Sequence, residues 1–190
     1  MCDIEAILQR FIEAHITFSG EKSSFGQREI MVVGQKCGPE GRRPSDTKAD
    51  VISKIVDCKS LTEVRRFLGA CIFYRSWIPH FAHIAEPLYD LQRKGRKFVW
   101  TEAHTEAMEK LKAALMSPLV LRPIDYSCGR PVILTVDSSP TAAGWAVGQD
   151  EEEGKRFATR FGAKIFAERQ RNYSQVKREL WGATCALKQE

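Results

Sequence analysis

The chain has 190 residues, 43% of them hydrophobic and 28% charged, and 29 Lys and Arg against 24 Asp and Glu leave a net charge of +5. Such a composition suits a globular chain with a real core and excludes a disordered tail, while the small basic excess permits an anionic partner without requiring one. No run reaches the roughly 20 apolar residues of a membrane helix, and Met-Cys-Asp-Ile-Glu at the start lacks the basic and then apolar build of a signal peptide. The expectation is an intracellular protein, cytoplasmic or nuclear, with no membrane partner. Cys2, Cys37, Cys58, Cys71, Cys128 and Cys185 form no C-x-x-C pair, which argues for reduced thiols rather than a zinc knuckle or a disulfide framework. His80 and His83 are spaced to share one side of a helical turn near Cys71, either as metal ligands or as ordinary surface or capping histidines.

In chain order, Ile4, Ile7, Leu8, Phe11 and Ile12 recur with a helical period and predict a short amphipathic helix over 4–14. Ile30 to Val33, closed by Gly34 and followed by turn chemistry at Gly38-Pro39-Glu40-Gly41, predicts a small hairpin. Residues 46–118 read as helical. Ser60-Leu61-Thr62-Glu63 is a capping box opening a long helix whose Val64, Phe67, Leu68, Cys71, Ile72 and Tyr74 share a face, stopped by Pro79. A second helix holds Phe81, Ile84, Leu88 and Leu91 and ends at Gly95. A third starts near Thr101, holds Ala107, Met108, Leu111, Ala114 and Leu115, and ends at Ser117-Pro118. Beyond it, Pro131 to Val136, Gly144 to Gly148 and Arg156 to Ile165 predict a three-stranded meander. Its separators are the turn-forming Asp137-Ser138-Ser139-Pro140 and the acidic stretch Asp150 to Glu153. A last helix, capped at Ser174, carries Val176, Leu180, Ala183, Thr184 and Leu187, expected to cover that sheet. The fold class is α/β in the α+β sense.

Phe67-Leu68-Gly69-Ala70-Cys71-Ile72-Phe73-Tyr74-Arg75-Ser76-Trp77-Ile78-Pro79-His80-Phe81 resembles the F-L-G-x-x-x-Y-Y-R-x-F-I-P-x-F signature of reverse transcriptases from gypsy-type long-terminal-repeat retrotransposons. In the same register, Ile84 to Leu88 resembles I-A-x-P-L, Phe98 to Thr101 F-x-W-T, and Leu111 to Leu115 L-K-x-x-L. Thr135-Val136-Asp137-Ser138-Ser139 resembles T-D-A-S with one residue inserted. Gly144 to Gln149 resembles G-A-V-L-x-Q, and Asn172 to Leu180 resembles N-Y-S-x-x-E-K-E-L. Lys22 to Gly34 looks like the hairpin near the polymerase primer grip.

The resemblance implies a piece of a multifunctional polyprotein: the end of the palm with a primer-grip-like hairpin over 1–45, a helical thumb and connection over 46–118, and the N-terminal part of a ribonuclease H-like mixed sheet with a covering helix over 119–190. The chain contains no Asp-Asp pair, so the family's polymerase centre is not expected in it and it should not make DNA alone. Ribonuclease H chemistry needs two divalent ions, Mg²⁺ or Mn²⁺, held by hard oxygen ligands. By resemblance Asp137 and Glu179 are the first two of these catalytic, metal-binding carboxylates, and the family's other two lie on a later strand and helix. Read without the resemblance, Asp137 is a turn residue and Glu179 a solvent-facing helix residue, and nothing in the spacing of Asp125 or Asp150 makes either a substitute. Arg65, Arg66, Gly69 and Arg75 on the long helix and Arg93, Lys94, Arg96 and Lys97 after the next are the candidate contacts to an RNA/DNA hybrid or DNA, with Gly69 allowing close backbone approach. Phe73, Tyr74 and Trp77 are expected in the core or at a subdomain interface. The functional expectation is a reverse transcriptase and ribonuclease H fragment that contacts a hybrid with an incomplete active site; a co-opted nonenzymatic binding module and an inactive relic are the alternatives.

Overall fold

The structure is a computed structural model and describes residues 2–152 and 154–189; Glu153, at the end of the predicted acidic stretch, lies outside the described residues. The elements are α1 (Cys2–Glu13), β1 (Ile30–Val32), β2 (Gln35–Gly38), β3 (Gly41–Pro44), α2 (Asp46–Ser53), α3 (Leu61–Phe73), a 3₁₀ turn (Arg75–Trp77), α4 (Phe81–Asp90), α5 (Glu102–Met116), β4 (Val132–Ser138), β5 (Ala142–Asp150), β6 (Arg156–Ile165), α6 (Glu168–Arg171) and α7 (Gln175–Gln189). None of the helices among the described residues is long and apolar enough to cross a membrane.

The helical unit forms because its apolar positions converge on one core. Val64, Phe67, Leu68 and Cys71 of α3 meet Trp77 and Ile78, Phe81, Ala85 and Leu88 of α4, and Met108, Leu111 and Leu115 of α5. Burial pushes the Cys71 thiol up to about 12. At the head of α3 the Glu63 amide donates to Ser60 Oγ at 3.3 Å, but the Glu63 carboxylate accepts from the Lys59 amide at 2.7 Å, so the box closes one residue earlier than the reciprocal form. The hairpin predicted upstream continues into a third strand: β1, β2 and β3 form an antiparallel sheet with Ile30 opposite Cys37 and Cys37 opposite Arg42.

The three downstream strands pair in the order β4-β5-β6, and because tight turns join them the sheet expected to be mixed is antiparallel throughout the described residues. Val136 pairs with Trp145, Asp137 with Gly144 and Ser138 with Ala143. Asp137 and Ser138 therefore finish a strand, and the turn is left to Ser139 and Pro140. One face of the sheet takes α7, where Trp145, Val147 and Ala186 pack with Leu134 and Val136. The other face is not bare: Ala158 and Phe161 pack against the helical core, so the helical unit supplies the second cover.

The face that α7 turns to the sheet differs from the expected one. Val176, Leu180 and Leu187 are 68%, 65% and 71% exposed, whereas Gly182 and Ala186 are buried. The reason is steric. A Cβ at Gly182 would collide with Ser138 Oγ and sit 3.0 Å from the Ala143 Cβ, so the helix can lie this close to β4 and β5 only on its smallest residues. Gly182→Val should therefore cost about 2 to 3 kcal/mol by overpacking, read as a lower urea midpoint. Leu180→Ala on the exposed stripe should change stability by no more than about 0.5 kcal/mol.

Candidate functional site

Asp137 stands near the end of β4 in a register that runs from Val132 to Ser138 without a shift, so Val136 occupies a regular strand position and no bulge marks an inserted residue. Side chains alternate across a strand. Since Val136 and Ser138 face Gly182 of α7, Asp137 faces the other side. There it lines a cleft of about 120 Å³ with His80 and His83 at the head of α4, Ser139, Gly144 and Ala163. Glu179 lies in the first turns of α7, exposed, its carboxylate accepting from Gln175 Nε2 at 2.7 Å. The same amide donates to the Ser138 carbonyl at 3.4 Å, and Ser138 Oγ donates to the Arg178 carbonyl at 3.2 Å. These bonds pin the start of α7 beside the residue that follows Asp137. The two carboxylates thus flank the end of an edge strand from opposite faces of its sheet.

The donor set matches a hard divalent cation in kind, since both groups are exposed carboxylates, but not in number: among the described residues no group of three or more His, Cys, Asp or Glu is placed to hold a metal. Asp125 and Asp150 are committed elsewhere. Hydrogen bonds from the Ser127 hydroxyl and amide hold the Asp125 carboxyl below its usual range, and Arg156 at 2.7 Å does the same for Asp150. Nor do the histidines meet a thiol. Cys71 is sealed in the helical core, while His80 and His83 open on the cleft that holds Asp137. His80 adopts a left-handed φ of 54° immediately before α4, which turns the chain into that helix.

The basic candidates separate into two places. Arg65, Arg66 and Gly69 are exposed on the outer face of α3, and Ile72 and Phe73 continue that face at helical spacing. Arg75 is exposed in the 3₁₀ turn that follows. Tyr74 and Trp77 are buried as expected, whereas Phe73 is 47% exposed with Lys48 Nζ 5.9 Å from its ring centroid. Apart from its chain neighbours and the backbone of α3 itself, no atom of the described residues lies within 4 Å of the position a Cβ would take at Gly69, so this glycine answers to no internal packing requirement. The second group sits on the α4–α5 loop, where Asp90 draws Arg93 to 2.8 Å and Arg96 to 3.8 Å. Lys94 and Lys97 are exposed there.

Two features of this region, the bonds of Gln175 and the nearness of His80 and His83 to Asp137, escaped the sequence reading. Gln175 could have been found from its four-residue spacing to Glu179 on one helix face. The nearness of His80 and His83 to Asp137 had no local signal, because they belong to different units. Gln149 is buried, and its amide donates to the Asp125 and Arg130 carbonyls at 3.0 Å while its oxygen accepts from the Asp125 amide at 3.0 Å. It clamps the loop that leads into β4.

Residues 100–189 match the family described as the RNase H-like domain found in reverse transcriptase. The Transposon Tf2-3 and Tf2-4 polyproteins of Schizosaccharomyces pombe (strain 972 / ATCC 24843) are each 28% identical over 185 residues, which is 97% of this chain and 14% of each relative. The foamy viral protease-reverse transcriptase dRH in complex with ds DNA superposes with a TM-score of 0.81 at 23% identity over 98% of this chain and 32% of that one. The foamy viral protease-reverse transcriptase in complex with RNA/DNA hybrid gives 0.81 and 23% over 98% and 25%. Residues 100–189 are thus similar to the RNase H-like domain found in reverse transcriptase. The chain as a whole is similar to a segment of these transposon polyproteins and spans 14% of the length of the curated relatives it matches.

Because both carboxylates are exposed, with Glu179 bonded only to a neighbouring side chain, Asp137→Asn and Glu179→Gln should each leave the thermal midpoint within the range of an ordinary surface change, about 0.5 kcal/mol. Differential scanning calorimetry checks this.

Proposed function

We propose that the chain is the hybrid-contacting part of a reverse transcriptase–ribonuclease H, with the unit boundaries near residues 45 and 118. The outer face of α3 follows the backbone of an RNA/DNA hybrid or DNA, and Asp137 and Glu179 contribute two carboxylates to a Mg²⁺ or Mn²⁺ site completed by residues other than those described. The observation that carries this reading is the exposed face of Arg65, Arg66, Gly69, Ile72 and Phe73, where cations flank a position with no side chain. Cations there attract phosphates without regard to sequence, and the bare glycine lets a sugar-phosphate backbone approach the helix. Structures of similar fold were determined with dsDNA and with an RNA/DNA hybrid, which supports the substrate class. When bound, the divalent ions would supply the activated water and the leaving-group stabilisation for RNA cleavage. Two carboxylates on opposite faces of one edge strand do not form that centre by themselves, so no cleavage step follows from this chain's residues alone. The remainder of the polyprotein is the partner that would supply the missing ligands, and binding without cutting is the activity assigned to the chain itself.

A labelled RNA/DNA hybrid with and without Mg²⁺ tests both parts. Gel shift should show salt-sensitive binding, and Arg65→Ala or Arg66→Ala should lower the slope of log affinity against log salt by about 1. Gly69→Ala should make α3 about 1 kcal/mol more stable and yet weaken hybrid binding. Metal-dependent cleavage by the chain, lost in Asp137→Asn, would show a complete centre and refute the half-site; absence of binding in the parent chain would refute the interface.

A further inference from the structure

Helix α5 starts on a histidine where Glu or Gln is the usual partner. In the common box at a helix start, the side chain of the third helical residue accepts the amide of the cap residue. Here the cap is Thr101 and the third residue is His104, whose Nδ1 accepts the Thr101 amide at 2.9 Å and lies 2.7 Å from Thr101 Oγ1. A backbone N–H can only donate. Nδ1 is therefore bare, the ring is neutral and its proton is on Nε2. One bond thus fixes both the charge and the tautomer of a side chain that ordinarily titrates at about pH 6.5.

The surroundings of the ring decide the sign of its response to acid. A proton on Nδ1 deprives the Thr101 amide of its acceptor and sets a cation at the positive end of a 15-residue helix. Burial of the ring, which packs on Trp100 with centroids 5.3 Å apart, opposes the charge most, and the Arg96 guanidinium adds to this; the Thr101 backbone and the Asp90 carboxylate pull the other way. Neither of these is a free partner. The Thr101 carbonyl already accepts the His104 and Thr105 amides at 3.0 and 3.3 Å, and Asp90 faces Arg93 and Arg96. Glu102 stands in the first turn of the same helix, and Asp57 of the α2–α3 loop accepts from Thr105 Oγ1 at 3.1 Å. The balance holds His104 below its ordinary range. A pKa lower in the folded than in the unfolded chain gives stability that is present above about pH 6.5 and is lost as pH falls through that value.

The cap also fastens the chain that leads into it. The Trp100 indole N–H donates to Thr105 Oγ1 at 2.9 Å, and Phe98 lies against Trp100 with ring centroids 6.3 Å apart, so residues 98–101 are tied to α5. The loop before them carries Arg93, Lys94, Arg96 and Lys97. We propose that His104 is a pH-sensitive latch: neutral, it caps α5 and holds residues 98–101 and the end of the basic loop in place; protonated, it releases them. The latch does not rest on the nucleic-acid reading, since it opens or stays shut whether or not the loop meets a phosphate.

Histidine NMR together with amide hydrogen exchange on the full chain tests it. At pH 7.5 the His104 ring should show the Nε2–H tautomer, and on acidification it should titrate below about pH 6.5. Between pH 7.5 and 5.5, after correction for intrinsic exchange, the Thr101 amide should lose about tenfold in protection, the size of a lost helix cap. His104→Gln, with His104→Glu as a second variant, keeps an acceptor at this position that does not titrate in that interval, so protection in both should stay level, while His15, His80 and His83 remain in each chain and carry any general effect of acid. An Nδ1–H tautomer, a His104 midpoint at or above about 6.5, a parent chain as level as the variants, or variants as acid-sensitive as the parent each overturns the proposal.

Discussion

The carbonyl of Arg42 joins the parts of this molecule. It accepts the amide of Leu121 at 3.0 Å and the indole N–H of Trp77 at 3.2 Å, while the Arg42 amide donates to the Leu121 carbonyl at 2.8 Å. The guanidinium of the same residue lies 5.4 Å from the Trp77 ring centroid and reaches the Thr159 carbonyl of β6 at 3.4 Å. One residue thereby ties the first sheet, the segment leaving α5, the 3₁₀ turn after α3 and the second sheet. The arrangement depends on Gly41, whose φ of 131° suits glycine and where a Cβ would collide with the Leu121 carbonyl. Trp77 fills the space beneath, 2% exposed. Removing a side chain of that size from a core generally costs about 3 to 5 kcal/mol, a large part of the 5 to 15 kcal/mol that holds a small domain together.

From that node the sheet acquires two covers of different origin. The helical unit reaches it through Phe161 and Ala158, and through Glu86, which accepts from Thr141 Oγ1 at 2.8 Å and lies 3.5 Å from Arg171. Both members of that ion pair are about four-fifths withdrawn from solvent, where an opposite charge is screened less than at a surface. Helix α7 reaches the other face through glycine and alanine. A sheet enclosed in this way still has two outer edges, those of β4 and β6, and no further strand pairs with either among the described residues. Both faces of the sheet are therefore covered, and what lacks a partner among the described residues is its edges.

Local chemistry made most of the elements legible. The Ser60 and Thr101 caps, the period of α3 and the limits of β6 all follow from signals within a few residues. The ordered motifs carried the family resemblance before any contact was known. Two matters were not readable for one reason: period reports which residues share a face but not which face is buried. In α7 the large apolar residues Val176, Leu180 and Leu187 make the more obvious stripe, yet the separation of helix from strand excludes anything larger than Ala186. In α3 the period assigned Ile72 to the core face, whereas it stands outside with Phe73, because Tyr74 and Trp77 complete the core from the turn beyond the helix.

The same limit governs the candidate site. Motif spacing could nominate Asp137 and Glu179 but could not say that strand parity sends one carboxylate toward the helical unit while the helix behind the sheet holds the other. With α4 and the 3₁₀ turn against one face and α7 against the other, ligands able to bridge the two carboxylates must arrive along the open edge of β4 or across the end of that strand. A strand paired to β4 would satisfy its free backbone groups and in the same step bring new side chains between Asp137 and Glu179. The helical unit, seated on the sheet through Arg42 and Glu86, meanwhile holds His80 and His83 over the face on which Asp137 stands.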